Sequence, residues 1–301
     1  MKQTDIYVLS GFLGSGKTTL LKEILKKEKA LGRKVAVLMN ELGKISIDSN
    51  EIDGDIPLKE LLGGCVCCTI QDEVEAQIQT LLVQEKPDVI YFETTGAAHP
   101  VETIDGILSP IFADQLRFKG IITVINGRQW LERSTLSAPI QQLIMEQARH
   151  ASLIIVNKED QLTEAEKAKI TFELQSICSH AFTVLTTYSK FPFEKLLEME
   201  SHIYSGITKT SVHALHLSTF VYTFKKSIAA DQFEFFLREL PNTIYRIKGY
   251  VKFHQAKYPD LFQYSYGMPL FMQEEMNMPL NMVFIGENID WKKVENELNL
   301  L

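Results

Sequence analysis

A doubly wound, mostly parallel α/β sheet followed by a smaller α+β domain is the fold class this sequence predicts. Three observations predict it. A glycine-rich turn, Gly11 to Gly16, lies between an apolar run, Ile6–Leu9, and a helix-periodic stretch that begins at Lys17. Near-continuous apolar runs then alternate with helical patterns to about residue 185, as strands buried on both faces of a parallel sheet do. From about residue 213 the pattern becomes one of alternating strands with only two helical stretches, which suits a largely antiparallel sheet. A chain of 301 residues accommodates two domains. The expected limits are 1–190 and 213–301, with 191–212 as a mixed, polar connection.

The elements follow in order. Ile6–Leu9 is a buried strand that stops at the glycines. From Lys17 the apolar positions Leu20, Leu21, Ile24, Leu25 and Leu31 have helical spacing, and Gly32 can end that helix. Val35–Met39, Val89–Phe92, Gly120–Ile125 and Leu153–Val156 are further apolar strands, and Val184-Leu185 a last short one. Helical stretches around 70–85, 140–150 and 163–178 separate them. In the second part Leu217–Phe224 alternates, with Phe220, Tyr222 and Phe224 on one face. Asp231–Leu240 is helical and stops before Pro241. Tyr245–Phe253, Leu261–Tyr266 and Met282–Ile285 are strands, and Asp290–Leu300 is a closing helix.

Composition excludes several classes. With 45% hydrophobic and 23% charged residues the chain is neither disordered nor fibrous. A net charge of -7 argues against a nucleic-acid partner, which would select a basic surface. No apolar run approaches a membrane span, so no membrane partner is expected. Met1–Asp5 leads directly into a strand, without the pattern of a signal peptide. Four cysteines are too few for a disulfide framework, which points to a reducing compartment, most simply the cytoplasm.

The chemistry concentrates in four motifs. Gly11-Phe12-Leu13-Gly14-Ser15-Gly16-Lys17-Thr18 matches G-x-x-x-x-G-K-[ST] in full and lies between a strand and a helix, as in P-loop NTPases. Gly11, Gly14, Ser15, Gly16 and Thr19 then shape a cradle of backbone N–H groups for phosphate. Lys17 reaches the β- and γ-phosphates and Thr18 ligates Mg²⁺. Asn157-Lys158-Glu159-Asp160 follows the strand 153–156, at the end where parallel sheets bind ligands. The Asp160 carboxylate suits the N1–H and N2–H₂ donors of guanine and would repel the N1 acceptor of adenine. Asn157 supports the other edge of the base and nearby backbone, and the Lys158 stem lies over the ring. Glu93-Thr94-Thr95-Gly96 follows the strand 89–92. Glu93 occupies the place of the Mg²⁺-side carboxylate, and Gly96 can bring its N–H to the γ-phosphate.

The fourth motif, Cys65-Val66-Cys67-Cys68, lacks the paired C-x-x-C spacing of a structural zinc knuckle. Its thiolates could hold a soft or borderline divalent ion, with Glu41 as a candidate further contact. From the residues alone a buried cysteine cluster or a redox pair remains an equal alternative.

Taken together, Gly11–Thr19, Asn40–Gly43, Cys65–Cys68, Glu93–Gly96 and Asn157–Asp160 stand in the order of the CobW-like metallochaperone GTPase family, which the chain resembles. Arg246–Gly249 and Met282–Gly286 resemble that family's C-terminal signatures, so the resemblance covers almost the whole chain. Departures are few: Gly63 where asparagine is usual, Lys44 where an acidic residue is usual, His99 in place of the Asp of Ala-Asp-Pro, and Asn126 where Asp is common.

The resemblance implies a GTPase that binds GTP and GDP with Mg²⁺; no obvious glutamine positions the attacking water, so slow intrinsic turnover is expected. Lys17 and Glu93 would be its catalytic side chains, and Asn157, Lys158 and Asp160 its guanine readers. It also implies a transition-metal site at Cys65, Cys67, Cys68 and Glu41, for zinc or alternatively cobalt. Metal would pass to a client metalloprotein through the C-terminal domain, from a monomer or homodimer. Two rival functions set a redox-sensing GTP-binding regulator, or a P-loop kinase, against this one.

Overall fold

The computed structural model describes residues 3–41, 58–62, 67–199, 217–265 and 267–301; for 40, 41, 58–62 and 67–73 it describes backbone alone. Among the described residues no helix is long and apolar enough to cross a membrane.

The first sheet starts with β1 (Thr4–Ser10), buried at every position. The phosphate-loop sequence follows and feeds α1 (Lys17–Ala30), whose buried side is Leu20, Leu21, Ile24, Leu25 and Glu28. Next come β2 (Val35–Glu41), β3 (Leu58–Leu62) and α2 (Cys67–Thr80). A π-helical turn, Leu81–Glu85, continues α2, closed by the Lys86 N–H on the Leu81 carbonyl at 2.9 Å. The chain proceeds through β4 (Val89–Glu93), α3 (Pro100–Ile107), β5 (Leu116–Asn126), α4 (Gly127–Leu131) and α5 (Ala138–Arg149). It then forms β6 (Leu153–Asn157), α6 (Glu164–Ile177), β7 (Phe182–Leu185) and the single turn α7 (Glu194–Leu197). Thr163 and Glu166 make a reciprocal capping box at the start of α6, which fixes where that helix begins.

These seven strands lie in the order β3-β2-β4-β1-β5-β6-β7, each pair parallel. Apolar side chains on both faces make three core clusters among the described residues, one with Ile6, Val8, Ile90 and Phe92, one with Tyr7, Leu9, Val37 and Tyr91, and one with Ile125, Trp130, Ile154 and Val156. The parallel α/β class is as expected, but β3, α3 and α4 carry too short a pattern to be read from sequence. β3 is polar at two of its five positions, Leu58-Lys59-Glu60-Leu61-Leu62, as an edge strand tolerates.

One expectation is corrected. The sequence places 191–199 in the connection, yet Phe193, Leu196 and Met199 are buried in one core with Tyr7, Leu9 and Val35. The Tyr7 hydroxyl also donates to the Leu196 carbonyl at 3.2 Å. A spacing of three puts these apolar groups on one side of the turn, and the intervening charges disguise it in sequence. Residues 200–216, which hold the rest of the connection, lie outside the described residues.

The second sheet contains β8 (Leu217–Thr223), β9 (Ile244–Val251), β10 (Asp260–Ser265), β11 (Met268–Gln273) and β12 (Asn281–Glu287), in the antiparallel order β11-β10-β9-β12-β8. Helices α8 (Ala230–Glu239) and α9 (Trp291–Asn299) cover one face over Phe220, Phe233, Phe262, Phe284 and Trp291. β11 was unread because all six of its residues are exposed, so no burial alternation marks it. The other face does not meet solvent at β12. Val283 and Ile285 join Leu217 in the core formed by Ile104, Ile107 and Phe112 of the first sheet's layer. The Asn281 amide donates to the Pro110 carbonyl at 3.0 Å across this junction.

Candidate functional site

Parallel register brings the motif residues to one edge. Leu9 is opposite Glu93, Ser10 opposite Thr123, and Asn126 opposite Asn157. The segments after β1, β4, β5 and β6 therefore all leave the sheet at its C-terminal edge, where parallel sheets bind ligands.

The phosphate loop has the conformation its glycines predict. Gly16 has φ of +111°, and a Cβ there would stand 2.3 Å from the Asn157 Nδ2. Only a residue without a side chain fits that backbone so near to its neighbour. The Lys17 ammonium donates to the Gly11 carbonyl at 2.8 Å, folded back over the loop it belongs to. The Thr18 hydroxyl donates to Glu93 Oε1 at 3.0 Å. Glu93 is buried at the end of β4, so the sheet supplies a carboxylate directly beside the loop's hydroxyl. Thr19 is exposed on the first turn of α1.

Gly96 is buried against the loop: a Cβ on it would be 2.7 Å from the Leu13 nitrogen. Thr94 holds the start of this segment, its N–H and hydroxyl both donating to the Leu9 carbonyl, at 3.0 and 3.1 Å. The segment's far end is held by Gln147 of α5, which donates to the carbonyls of Gly96 at 3.1 Å and Ala98 at 3.2 Å. His99 begins α3 as its N-cap residue, and its ring lies edge-on to His150 with centroids 6.3 Å apart. Burial lowers the His99 pKa below the ordinary imidazole value, against the upward pull of Glu102 and Glu146.

The Asn157–Asp160 segment is built differently from the expectation in one respect. Both ends of the Asn157 carboxamide are engaged within the protein: Nδ2 donates to the Ser15 carbonyl at 2.9 Å, and Oδ1 accepts the Ser189 N–H at 3.0 Å. Asn157 thus clamps the phosphate loop to the turn after β7. Lys158 takes the left-handed conformation, φ 64°, and passes the chain to the short turn Glu159–Gln161, where Asp160 is exposed.

Ser189 was not identified from sequence. Its hydroxyl also donates to the Gly16 carbonyl at 3.3 Å, and it and Tyr188 hold positive φ values of 53° and 55°. Two consecutive non-glycine residues in that region mark a turn fixed by its surroundings. The available signal was the short polar tract Thr186–Lys190 at the C-terminal end of a parallel strand.

The metal candidates are described only in part. Glu41 ends β2, and its backbone is in register with Leu62, the last residue of β3. Cys67 and Cys68 open α2, and their side chains lie outside the described residues, as does all of Cys65, with Gly63 and Lys44. Among the described residues no group of three or more His, Cys, Asp and Glu is placed to hold a metal ion. Cys178, expected in the core, is buried, and burial pushes its thiol up to about 11.

Comparison with known proteins adds the following. A family model described as "CobW/HypB/UreG, nucleotide-binding domain" matches residues 5–184, and one described as "Cobalamin synthesis protein cobW C-terminal domain" matches 217–301. The chain is similar to the zinc chaperone YeiR of Escherichia coli (strain K12), 34% identical over 167 residues, 55% of this chain and 50% of that protein. It is 28% identical over 204 residues to the zinc chaperone CobW of a Sinorhizobium species, 59% of this chain and 57% of that one. To the zinc-regulated GTPase metalloprotein activator 1 of Dictyostelium discoideum it is 26% identical, over 65% of this chain and 48% of that one. It thus spans about half the length of the curated relatives it matches. The crystal structure of the Zn(II)-bound YjiA GTPase from E. coli shares the fold, with TM-score 0.52 and 21% identity over 100% of this chain and 99% of that one.

Proposed function

The chain belongs to the CobW/HypB/UreG family of nucleotide-binding domains, and from that membership we propose that it is a GTP-hydrolysing zinc chaperone. It carries the metal as cargo and releases it to a client protein according to the nucleotide it holds. One observation carries the reading, the strand register at the C-terminal edge. Glu93 is opposite Met39, two residues before Glu41; Glu41 is opposite Leu62; and the cysteine run starts three residues after Leu62. The segments assigned to phosphate chemistry and to metal chemistry leave adjacent strands of one sheet.

The assignments follow from donor chemistry. Lys17 neutralises charge on the β- and γ-phosphates, and the clamped loop offers its N–H groups to them. The Thr18 hydroxyl and the Glu93 carboxylate, 3.0 Å apart, are hard oxygen donors that fit Mg²⁺, which supplies charge neutralisation at the phosphates when bound. Asp160, exposed beyond β6, reads guanine. Asn157 supports that reading by tying the phosphate loop to the turn at Ser189. Cys65, Cys67, Cys68 and Glu41 combine thiolate and carboxylate donors, a set that suits zinc, with cobalt as the alternative. Four cysteines are too few for a disulfide framework, which fits a reducing compartment, so we assign the protein to the cytoplasm. The second sheet is the part that meets the client.

The test is a metal titration. Zn²⁺ and Co²⁺ affinities are measured with GTP-Mg²⁺, with GDP-Mg²⁺ and without nucleotide, on the wild type and on Cys67→Ala. Metal should bind more tightly in the GTP state by about 1–3 kcal/mol, with GTP tightened by the same factor when metal is present. Equal metal affinity in all three states would refute nucleotide-controlled release. Unchanged affinity in Cys67→Ala would move the metal away from the cysteine run.

A further inference from the structure

Gln147 is a buried polar side chain near the phosphate loop that no motif accounts for. It lies in the last turn of α5, 1% exposed, in a stretch whose other inward residues, Ile144 and Ala148, are apolar. A buried carboxamide costs free energy unless its hydrogen bonds are made, and packing alone would be met by methionine or leucine. Both of its described bonds go to one segment: it donates to the carbonyls of Gly96 and Ala98, at 3.1 and 3.2 Å. An amide that spans two carbonyls two residues apart fixes the orientation of the peptides between them.

The mount for this side chain is rigid. The Gln147 carbonyl accepts the Thr123 hydroxyl at 2.8 Å, and Thr123 is the residue of β5 opposite Ser10, the last residue of β1 before the phosphate loop. Gln147 also lines a small cavity under that loop together with Ser15, Thr123, Asn126 and Trp130. Its reach therefore joins the base of the phosphate loop to the segment that follows β4. On the other side Gly96 is pressed against Leu13, so the segment has little freedom once Gln147 holds its carbonyls.

We infer that Gln147 is a positioning residue for GTP hydrolysis: it sets the Gly96–Ala98 segment for the terminal phosphate without itself touching the nucleotide. The inference rests on the reading that Gly96 lies beside the γ-phosphate. It makes a distinction that packing does not make. GDP has no γ-phosphate, so its affinity is independent of the Gly96 segment. GTP binding and turnover depend on it.

The experiment compares wild type with Gln147→Met, which keeps length and apolar bulk and removes both donors, and with Gln147→Glu, which puts oxygens against the two carbonyls. GDP and a non-hydrolysable GTP analogue are titrated, and single-turnover hydrolysis is measured. Both variants should keep wild-type GDP affinity. Their turnover should fall about ten- to a hundredfold, as misplacing a positioned group does, with the analogue bound more weakly and Gln147→Glu the worse of the two. Equal losses for GDP and analogue would show a merely structural role and overturn the inference, as would unchanged turnover. A measurement on the wild type alone guards against a variant that fails to fold. The side-chain amide resonances of Gln147, assigned by their loss in either variant or by selective labelling, should differ between the GDP and analogue states. Identical resonances in the two states would overturn the proposal. A wild type that hydrolyses no GTP would remove the proposed function and this inference together. Normal wild-type turnover shared by both variants would remove this inference alone.

Discussion

Asp160 and His99 show how a single side chain can be tested for its own contribution. Asp160 is exposed in the short turn after β6, at the end of the sheet that holds the phosphate loop, and is the residue we propose as the guanine reader. Asp160→Ala should weaken GTP and GDP binding by about 1–3 kcal/mol, the cost of leaving guanine donors unpaired. ATP binding should not change, and competition between fluorescent GTP and ATP checks this. His99 is the case for pH. In the unfolded chain it titrates near its ordinary 6.5, while in the folded protein burial lowers that value despite Glu102 and Glu146 nearby. Just below pH 6.5 the unfolded state therefore binds the extra proton, so stability falls as pH drops through that window and is fully present above it. Melting temperature measured from pH 7.5 to 5.5 should decline less steeply in His99→Asn than in wild type.

At the scale of elements, α1, β1, β4 and β5 are joined at the end of the sheet opposite the phosphate loop by a charged cluster around buried Glu28. Glu28 of α1 is 0% exposed and accepts the Tyr91 hydroxyl at 2.5 Å and Arg33 Nη1 at 3.1 Å. Arg33 continues to Asp5 at 3.0 Å, and Asp5 also takes Arg117 of β5. Burial raises the Glu28 pKa even with these partners. Arg33→Met should cost about 3 kcal/mol of unfolding free energy, the low end for stripping one partner from a buried ion pair. Urea denaturation measures it, and nucleotide affinity should be unaffected because the cluster is at the far end of the strands. None of this cluster was legible in the sequence, because its members come from positions 5, 28, 33, 91 and 117. The phosphate loop was legible because its parts are consecutive and its glycines permit the positive-φ backbone that the turn needs. The strands at 4–10, 89–93 and 153–157 were legible because burial on both faces leaves an unbroken apolar run. Gln147 and Ser189 were not, since each derives its role from partners that folding brings from 32 to 173 residues away. β11 and β3 failed for the opposite reason, being edge strands with little buried pattern to read.

At the scale of the molecule the two sheets are not separable bodies. Val283 and Ile285 of β12 share a core with Ile104, Ile107 and Phe112, and polar contacts rim it. Lys248 is 3.7 Å from Glu75, Arg246 is 3.8 Å from Asp105, and His150 Nδ1 is 2.7 Å from Glu287 Oε1. Burial works to raise the Glu287 pKa, but His150 and the Tyr245 hydroxyl outweigh it and hold it below the usual carboxylate range. Calorimetry of the full chain should give one unfolding transition, and a chain ending at Met199 should bind hydrophobic dyes and aggregate. Two resolved transitions would mean that the shared core contributes little.

The central place of β1 has a consequence for how the chain is made. Its two neighbours in the sheet are β4 and β5, so Asp5 waits for Val89 and Thr4 for Leu116. A ribosome releases the phosphate loop before either neighbour, so the loop hangs from an apolar strand that can pair on one side only after Glu93 has emerged and on both only after Thr123. Pairings this distant in sequence form slowly and leave sticky surface exposed meanwhile. Nucleotide can therefore not template the folding of β1 before β4 and β5 arrive. During that interval Ile6, Val8 and Leu9 are the residues a trigger-type folding helper would have to shelter.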